Sequence, residues 1–160
     1  MAELIRRYGG EPVVAPALRE MALEENRAVL EFLPEIEAGR FDIIILMTGV
    51  GTKTLYQTLL TRYPRERIVA ALKKSQLIAR GPKPAAALKE LGLVAALAVP
   101  EPNTWREVLG VLDGAGAIAG KRIAVQEYGV ANPELVTGLV RRGASVKTIA
   151  IYRWALPEDL

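Results

Sequence analysis

Five short segments hold the residues with which this chain could do chemistry. In Thr48-Gly49-Val50-Gly51-Thr52-Lys53-Thr54 two glycines permit close backbone approach, and a helix beginning there turns unpaired amides toward an anion. The spacing is neither that of a Walker loop nor that of a dinucleotide fingerprint. The same residues serve equally well to turn the chain and cap a helix. Arg80-Gly81-Pro82-Lys83 adds two cations suited to carboxylates, against the ordinary reading of solvated side chains. Glu101-Pro102-Asn103-Thr104-Trp105 adds further amides, with Trp105 read as a packing residue. The last two segments are Gln126-Glu127-Tyr128-Gly129 and Tyr152-Arg153-Trp154. A tyrosine at a strand end usually packs its ring and solvates its hydroxyl, yet here it is also a candidate proton donor, in competition with Glu127.

That choice of acid follows from what is missing. The 160 residues include no Cys and no His, which removes thiolate nucleophiles, disulfides, zinc–thiolate sites and the commonest general base. With 51% apolar and 24% charged residues the composition is that of a globular protein long enough to bury one core. No apolar run reaches membrane-spanning length, and the N-terminus has no signal-peptide core, so a soluble, cytoplasmic protein is expected. Residues 1–40 carry five Lys/Arg against eight Asp/Glu, and the remainder sixteen against ten, a step from −3 to +6. The basic part has no cluster of five or more cations and few aromatics, so ordinary solvated faces are favoured over a nucleic-acid groove. A small polyanionic ligand stays open.

The elements that must position these segments are strands and helices in alternation. Phe41–Met47 reads as a strand covered on both faces, and weaker runs at 75–79, 93–99, 122–126 and 146–152 make five. Between them, Pro84 suits a first helical turn and Gly92 a stop, while Asn132-Pro133-Glu134 caps a helix that runs to Gly143. Thr52–Tyr63 and Thr104–Leu112 read as two more helices. Alternation of this kind predicts a doubly wound five-stranded parallel α/β sheet, with its ligand site beyond the carboxyl ends of the strands where the strand order reverses.

An internal similarity adds to this. Leu4–Val14 and Leu139–Val146 both read as helix end, glycine, strand, but only the second copy is preceded by its own strand. If the repeat is real, two such halves are expected in an intact protein, with part of each absent here, as in an excised or shortened domain.

Together the segments resemble the uroporphyrinogen-III synthase family. The resemblance is carried by Gly9-Gly10-Glu11-Pro12 with Pro16, Phe41-Asp42 leading to Thr48-Gly49-Val50-Gly51, Ala79-Arg80-Gly81, Pro100-Glu101-Pro102-Asn103-Thr104-Trp105, and Gly143-Ala144 leading to Ile151-Tyr152-Arg153. It implies an enzyme of tetrapyrrole synthesis, a lyase of the haem pathway, that closes linear hydroxymethylbilane into a macrocycle while inverting the last pyrrole ring. No metal or cofactor is implied. It further implies two flavodoxin-like domains joined by crossing strands, with the tetrapyrrole between them. By position, Tyr152 is then the favoured proton donor. Thr48, Gly49, Val50 and Gly51, then Arg80, Gly81 and Lys83, then Asn103 and Thr104, and last Glu127, Tyr128 and Gly129 are the candidate substrate-binding residues. Pro84 stands where many members have threonine.

On this reading residues 1–26 are a remnant helix and strand plus linker, residues 27–160 form a flavodoxin-like domain, and the chain is inactive alone because half of the cleft is absent. The orphan segment either stays loose or competes with Leu139–Tyr152, a route to a segment-swapped homodimer. The alternative is a non-catalytic flavodoxin-like module, such as a receiver, a flavin-binding domain or an engineered fold model. A receiver would need an acidic pocket at the strand exits, where this chain has Thr48, Arg80 and Tyr152.

Overall fold

Ile43, Ile44, Ile45 and Leu46 are buried on both faces, which places this run at the centre of a covered sheet. In the computed structural model, residues 6–11, 19–22 and 26–155 are described. Their strands are β1 (Arg19–Ala22), β2 (Ile43–Leu46), β3 (Gln76–Ala79), β4 (Leu97–Ala98), β5 (Arg122–Gly129) and β6 (Ser145–Ala155). The helices are α1 (Arg27–Glu37), α2 (Gly49–Leu60), α3 (Arg65–Leu72), α4 (Pro82–Glu90), α5 (Trp105–Ala115) and α6 (Pro133–Arg141).

The sheet runs β1-β6-β5-β2-β3-β4. β2 to β6 are mutually parallel, so the expected five-stranded parallel sheet is present, and β1 adds an antiparallel sixth strand with Arg19 opposite Ala155 and Ala22 opposite Tyr152. Taken in chain order, the parallel strands read 3-2-1-4-5, where flavodoxin has 2-1-3-4-5, and both orders put the crevice beside the first strand. Here the reversal lies between β2 and β5.

Alternate residues of the run from Ile43 to Met47 feed two cores. Ile44 and Leu46 pack with Phe32, Leu33, Ile36, Leu55, Leu59, Ile68 and Leu72 from α1, α2 and α3. Ile43, Ile45 and Met47 pack with Val108, Leu109, Leu112, Leu135 and Leu139 from α5 and α6. This is the side-chain period of two that a strand imposes.

Two helices lie outside the sequence pattern. Pro34 inside α1 argues against a helix because it lacks an amide and crowds the turn before it. The carbonyl it would deprive, that of Leu30, instead accepts from the Tyr63 hydroxyl at 3.1 Å. The N-terminus of α1 is fixed by buried Asn26, whose Oδ1 accepts from Val29 N (3.1 Å) while its Nδ2 donates to the Ala150 carbonyl on β6 (2.8 Å). The short α3 follows Pro64, which precedes it as its N-cap.

Three expectations change in detail. The run at 93–99 yields a strand of two residues at the sheet edge. β5 continues through Glu127-Tyr128-Gly129, which are strand and not loop, with an irregularity of register at that point. β6 likewise carries Tyr152 within its length, because β1 and Gly129 continue the pairing past it. In the N-terminal repeat, Arg6 and Arg7 are helical and the chain turns at Gly9, whose amide donates to the Arg6 carbonyl at 3.0 Å. The strand expected to follow lies largely outside the described residues.

Candidate functional site at the strand exits

Because β2, β3, β4 and β5 are parallel, the segments that follow them emerge on one edge of the sheet, in the spatial order β5, β2, β3, β4. Each touches the next. At the exit of β2, Thr48 is the N-cap of α2, with its Oγ1 accepting from Gly51 N at 2.9 Å. A Cβ on Gly51 would overlap Gln126 Nε2 of β5, and one on Gly49 would lie 2.9 Å from the Lys83 carbonyl oxygen of α4. A Cβ on Gly81 would lie 3.2 Å from Asn103 Oδ1. Gly49 and Gly51 are therefore required where one protein segment approaches another, and Gly81 marks a third close approach. They draw the amino ends of α2 and α4 together, which accounts for the Gly-rich pattern by packing alone and leaves the first-turn amides facing the same edge.

Gln126 organises the reversal point. It is 2% exposed, its Oε1 accepts from Met47 N (3.1 Å) and Thr48 N (3.3 Å), and its Nε2 donates to the Glu127 carbonyl (2.6 Å). A glutamine at the end of an apolar run signals an exit residue but not this bridging role, which depends on β5 lying against β2.

At the exit of β4, Asn103 holds a left-handed backbone (φ 57°), and its Nδ2 donates to the carbonyls of Val99 (2.8 Å) and Pro100 (2.9 Å). Asparagine is among the few residues that take this conformation without glycine. Thr104 is engaged in a capping box: its Oγ1 accepts from Arg106 N (3.2 Å) and donates to Glu107 Oε2 (2.5 Å), which also accepts from Thr104 N. That hydroxyl contact holds the Glu107 carboxyl below the usual range. Trp105 is half-buried against the second core, as its reading as a packing residue expects, and Arg106 lies over its ring at 4.5 Å.

Lys83 is exposed on the first turn of α4, Arg80 is half-buried, and Val50 is exposed beside them. Glu127 is half-buried. Tyr152 is placed by its backbone on β6 opposite Ala22, and Tyr128 on β5; their side chains lie outside the described residues. Thus Thr48–Gly51, Arg80–Lys83 and Asn103–Thr104 form one continuous row of mixed cations, amides and carbonyls, with the acidic side chain of Glu127 at its β5 end.

Among the described residues, no three acidic side chains gather as a metal ion would require, and no helix is long and apolar enough to cross a membrane. At the opposite edge of the sheet Asp42 receives Arg122 through Nε (3.1 Å), Nη2 (2.9 Å) and the backbone amide (2.8 Å). The Arg122 guanidinium, then its amide, lower the Asp42 carboxyl to about 2.

A doubly wound α/β domain with its glycine-tightened loops at the strand exits is the class that fold and site define. Within it, the family model described as uroporphyrinogen-III synthase HemD matches residues 1–160, and the chain belongs to that family. It is 29% identical over 159 residues to YjjA, an uncharacterized protein of Bacillus subtilis strain 168, covering 99% of this chain and 58% of that one. It is also similar to two crystal structures of uroporphyrinogen III synthase from the extremely thermophilic bacterium Thermus thermophilus. A triple mutant matches with a TM-score of 0.71 at 26% identity and the wild type with 0.67 at 28%, each covering 97% of this chain and 57% of the Thermus chain. The chain spans rather more than half the length of these relatives.

Proposed function

We propose that this chain supplies one wall of a uroporphyrinogen-III synthase cleft, the enzyme that cyclises hydroxymethylbilane with inversion of its last pyrrole ring in tetrapyrrole and haem biosynthesis, a lyase of the cytoplasm. The observation that carries the reading is the continuous row of loops at the strand exits, in a chain that matches the family model from end to end. The substrate bears eight carboxylates. Helix amino ends at Thr48–Gly51 and Gly81–Lys83, with the Arg80 and Lys83 cations, suit such a polyanion. Asn103, Glu127, Tyr128 and Gly129 border the same edge and extend the proposed contact.

In the reaction the substrate's terminal hydroxyl leaves as water, and its departure requires a proton. The Tyr152 phenol is the donor that family position favours, in a chain without histidine. Since the chain covers 57% of the Thermus enzymes, we propose that it binds the tetrapyrrole but does not turn it over alone.

Two measurements test this. Uroporphyrin III, the stable oxidised macrocycle, should quench the protein's tryptophan fluorescence saturably, with affinity falling as salt rises. The absence of saturable binding at low salt would remove the functional reading. In hydroxymethylbilane incubations, only the spontaneous type I product is expected. Type III isomer above that background would show that the chain suffices for catalysis, and Tyr152→Phe would then test the proton donor.

A further inference from the structure

We propose that Gln126 is the positioning residue of this site, a side-chain bridge that fixes how far apart the β2 and β5 exits stand. The β2–β5 ladder pairs Ile43, Ile44 and Ile45 with Ile123, Ala124 and Val125. Beyond Ile45 the two strands must part if their exits are to border a crevice. At that point the amides of Met47 and Thr48 both turn to a side chain of β5. The Gln126 carboxamide takes both on one oxygen, and its nitrogen holds the Glu127 carbonyl on its own strand. A buried amide side chain destabilises unless its hydrogen bonds are met, and here donor and acceptor are both satisfied.

The same carboxamide lies where a side chain on Gly51 would stand, so it also sets the approach of the α2 amino end to β5. The spacing across the reversal point is thus the length of one glutamine side chain. Through Thr48 and Gly51 it reaches the loop assigned to the tetrapyrrole carboxylates, and in that respect the inference rests on the function proposed above.

The test uses the whole chain with Gln126→Leu, which removes the bridge at similar volume, and Gln126→Glu, which keeps the acceptor for the two amides and loses the donor to Glu127. Amide hydrogen exchange is read at Met47 and Thr48 with Ile45 as internal reference, and uroporphyrin III affinity is read alongside. In the Leu variant, exchange at Met47 and Thr48 should rise at least about tenfold relative to Ile45, and affinity should fall by about tenfold or more. In the Glu variant the protection at both amides should persist. Unchanged relative exchange in the Leu variant overturns the proposal, as does loss of that protection in the Glu variant, which decides the matter if the Leu variant does not fold. If both exchange results hold while the Leu variant binds uroporphyrin III as the parent does, the link to the ligand is overturned. If the parent chain binds no uroporphyrin III, the functional reading fails and the exchange comparison still decides the bridge.

Discussion

The Tyr63 hydroxyl donates to the carbonyl of Leu30, the one carbonyl of α1 whose amide partner four residues on is replaced by Pro34. A residue from the turn after α2 thereby repairs a break in α1. Tyr63→Phe should destabilise the domain by about 1 kcal/mol. In a Pro34→Ala background, where an amide can reach Leu30, the same change should cost less. A denaturant double-mutant cycle measures the coupling, and additive effects of the two substitutions would refute it.

Glycines in this chain should respond to alanine in opposite directions. At Gly49 the new Cβ meets the Lys83 backbone at 2.9 Å, which no side-chain adjustment relieves, so Gly49→Ala should cost roughly 1–3 kcal/mol. Gly110 lies exposed inside α5 with nothing within 4 Å of an added Cβ. Gly110→Ala should therefore stabilise by about 0.5–1 kcal/mol. Urea midpoints of the two variants moving in the same direction would contradict this account.

The Asp42–Arg122 contact predicts a pH dependence. A carboxyl lowered to about 2 in the folded state contributes stability that is fully present above the unfolded value, about 3.9, and is lost as pH falls toward 2. Asp42→Asn should thus be less stable than the parent by about 1 kcal/mol at pH 6, with the difference closing below pH 4. Thermal melts across pH 2–7 read this directly, and a constant offset over that range would be the contrary result.

If the proposed polyanion site is right, Lys83→Gln should weaken uroporphyrin III binding by about three- to tenfold at low ionic strength. The loss should shrink with added salt while the melting temperature stays put, because Lys83 is exposed. Gly110→Ala, remote from the strand exits, serves as the control and should bind as the parent does.

Much of the sheet could be read from the chain because β2, β3 and the first half of β5 bury apolar runs that need no knowledge of neighbours, and β6 keeps enough β-branched residues to show as a weaker one. Other elements could not be. β1 is Arg-Glu-Met-Ala, four residues with no strand pattern, and its partner lies some 130 positions away. Pro34 disguised α1 because the hydroxyl that compensates for it comes from Tyr63. β4 shrank to two residues because a strand at the sheet edge gains little from an alanine-rich run. At the candidate site, glycines and cations after strands pointed to segments that lie on one edge of the sheet. What each glycine faces, and that Gln126 joins two exits, depended on contacts between residues as many as 79 positions apart.

The attachment of β1 and of the α1 cap to β6 also orders events in time. Asn26 finds its carbonyl at Ala150, and Ala22 its partner at Tyr152. During synthesis at about 5–20 residues per second, β1 and Asn26 must wait on the order of ten seconds for their docking site on β6 to emerge. Over that interval β2 with β3, β3 with β4 and β5 with β6 each close across a few tens of residues, and β2 with β5 closes across about 80. β1 and Asn26 are made well before β6 and are therefore secured only once it has emerged.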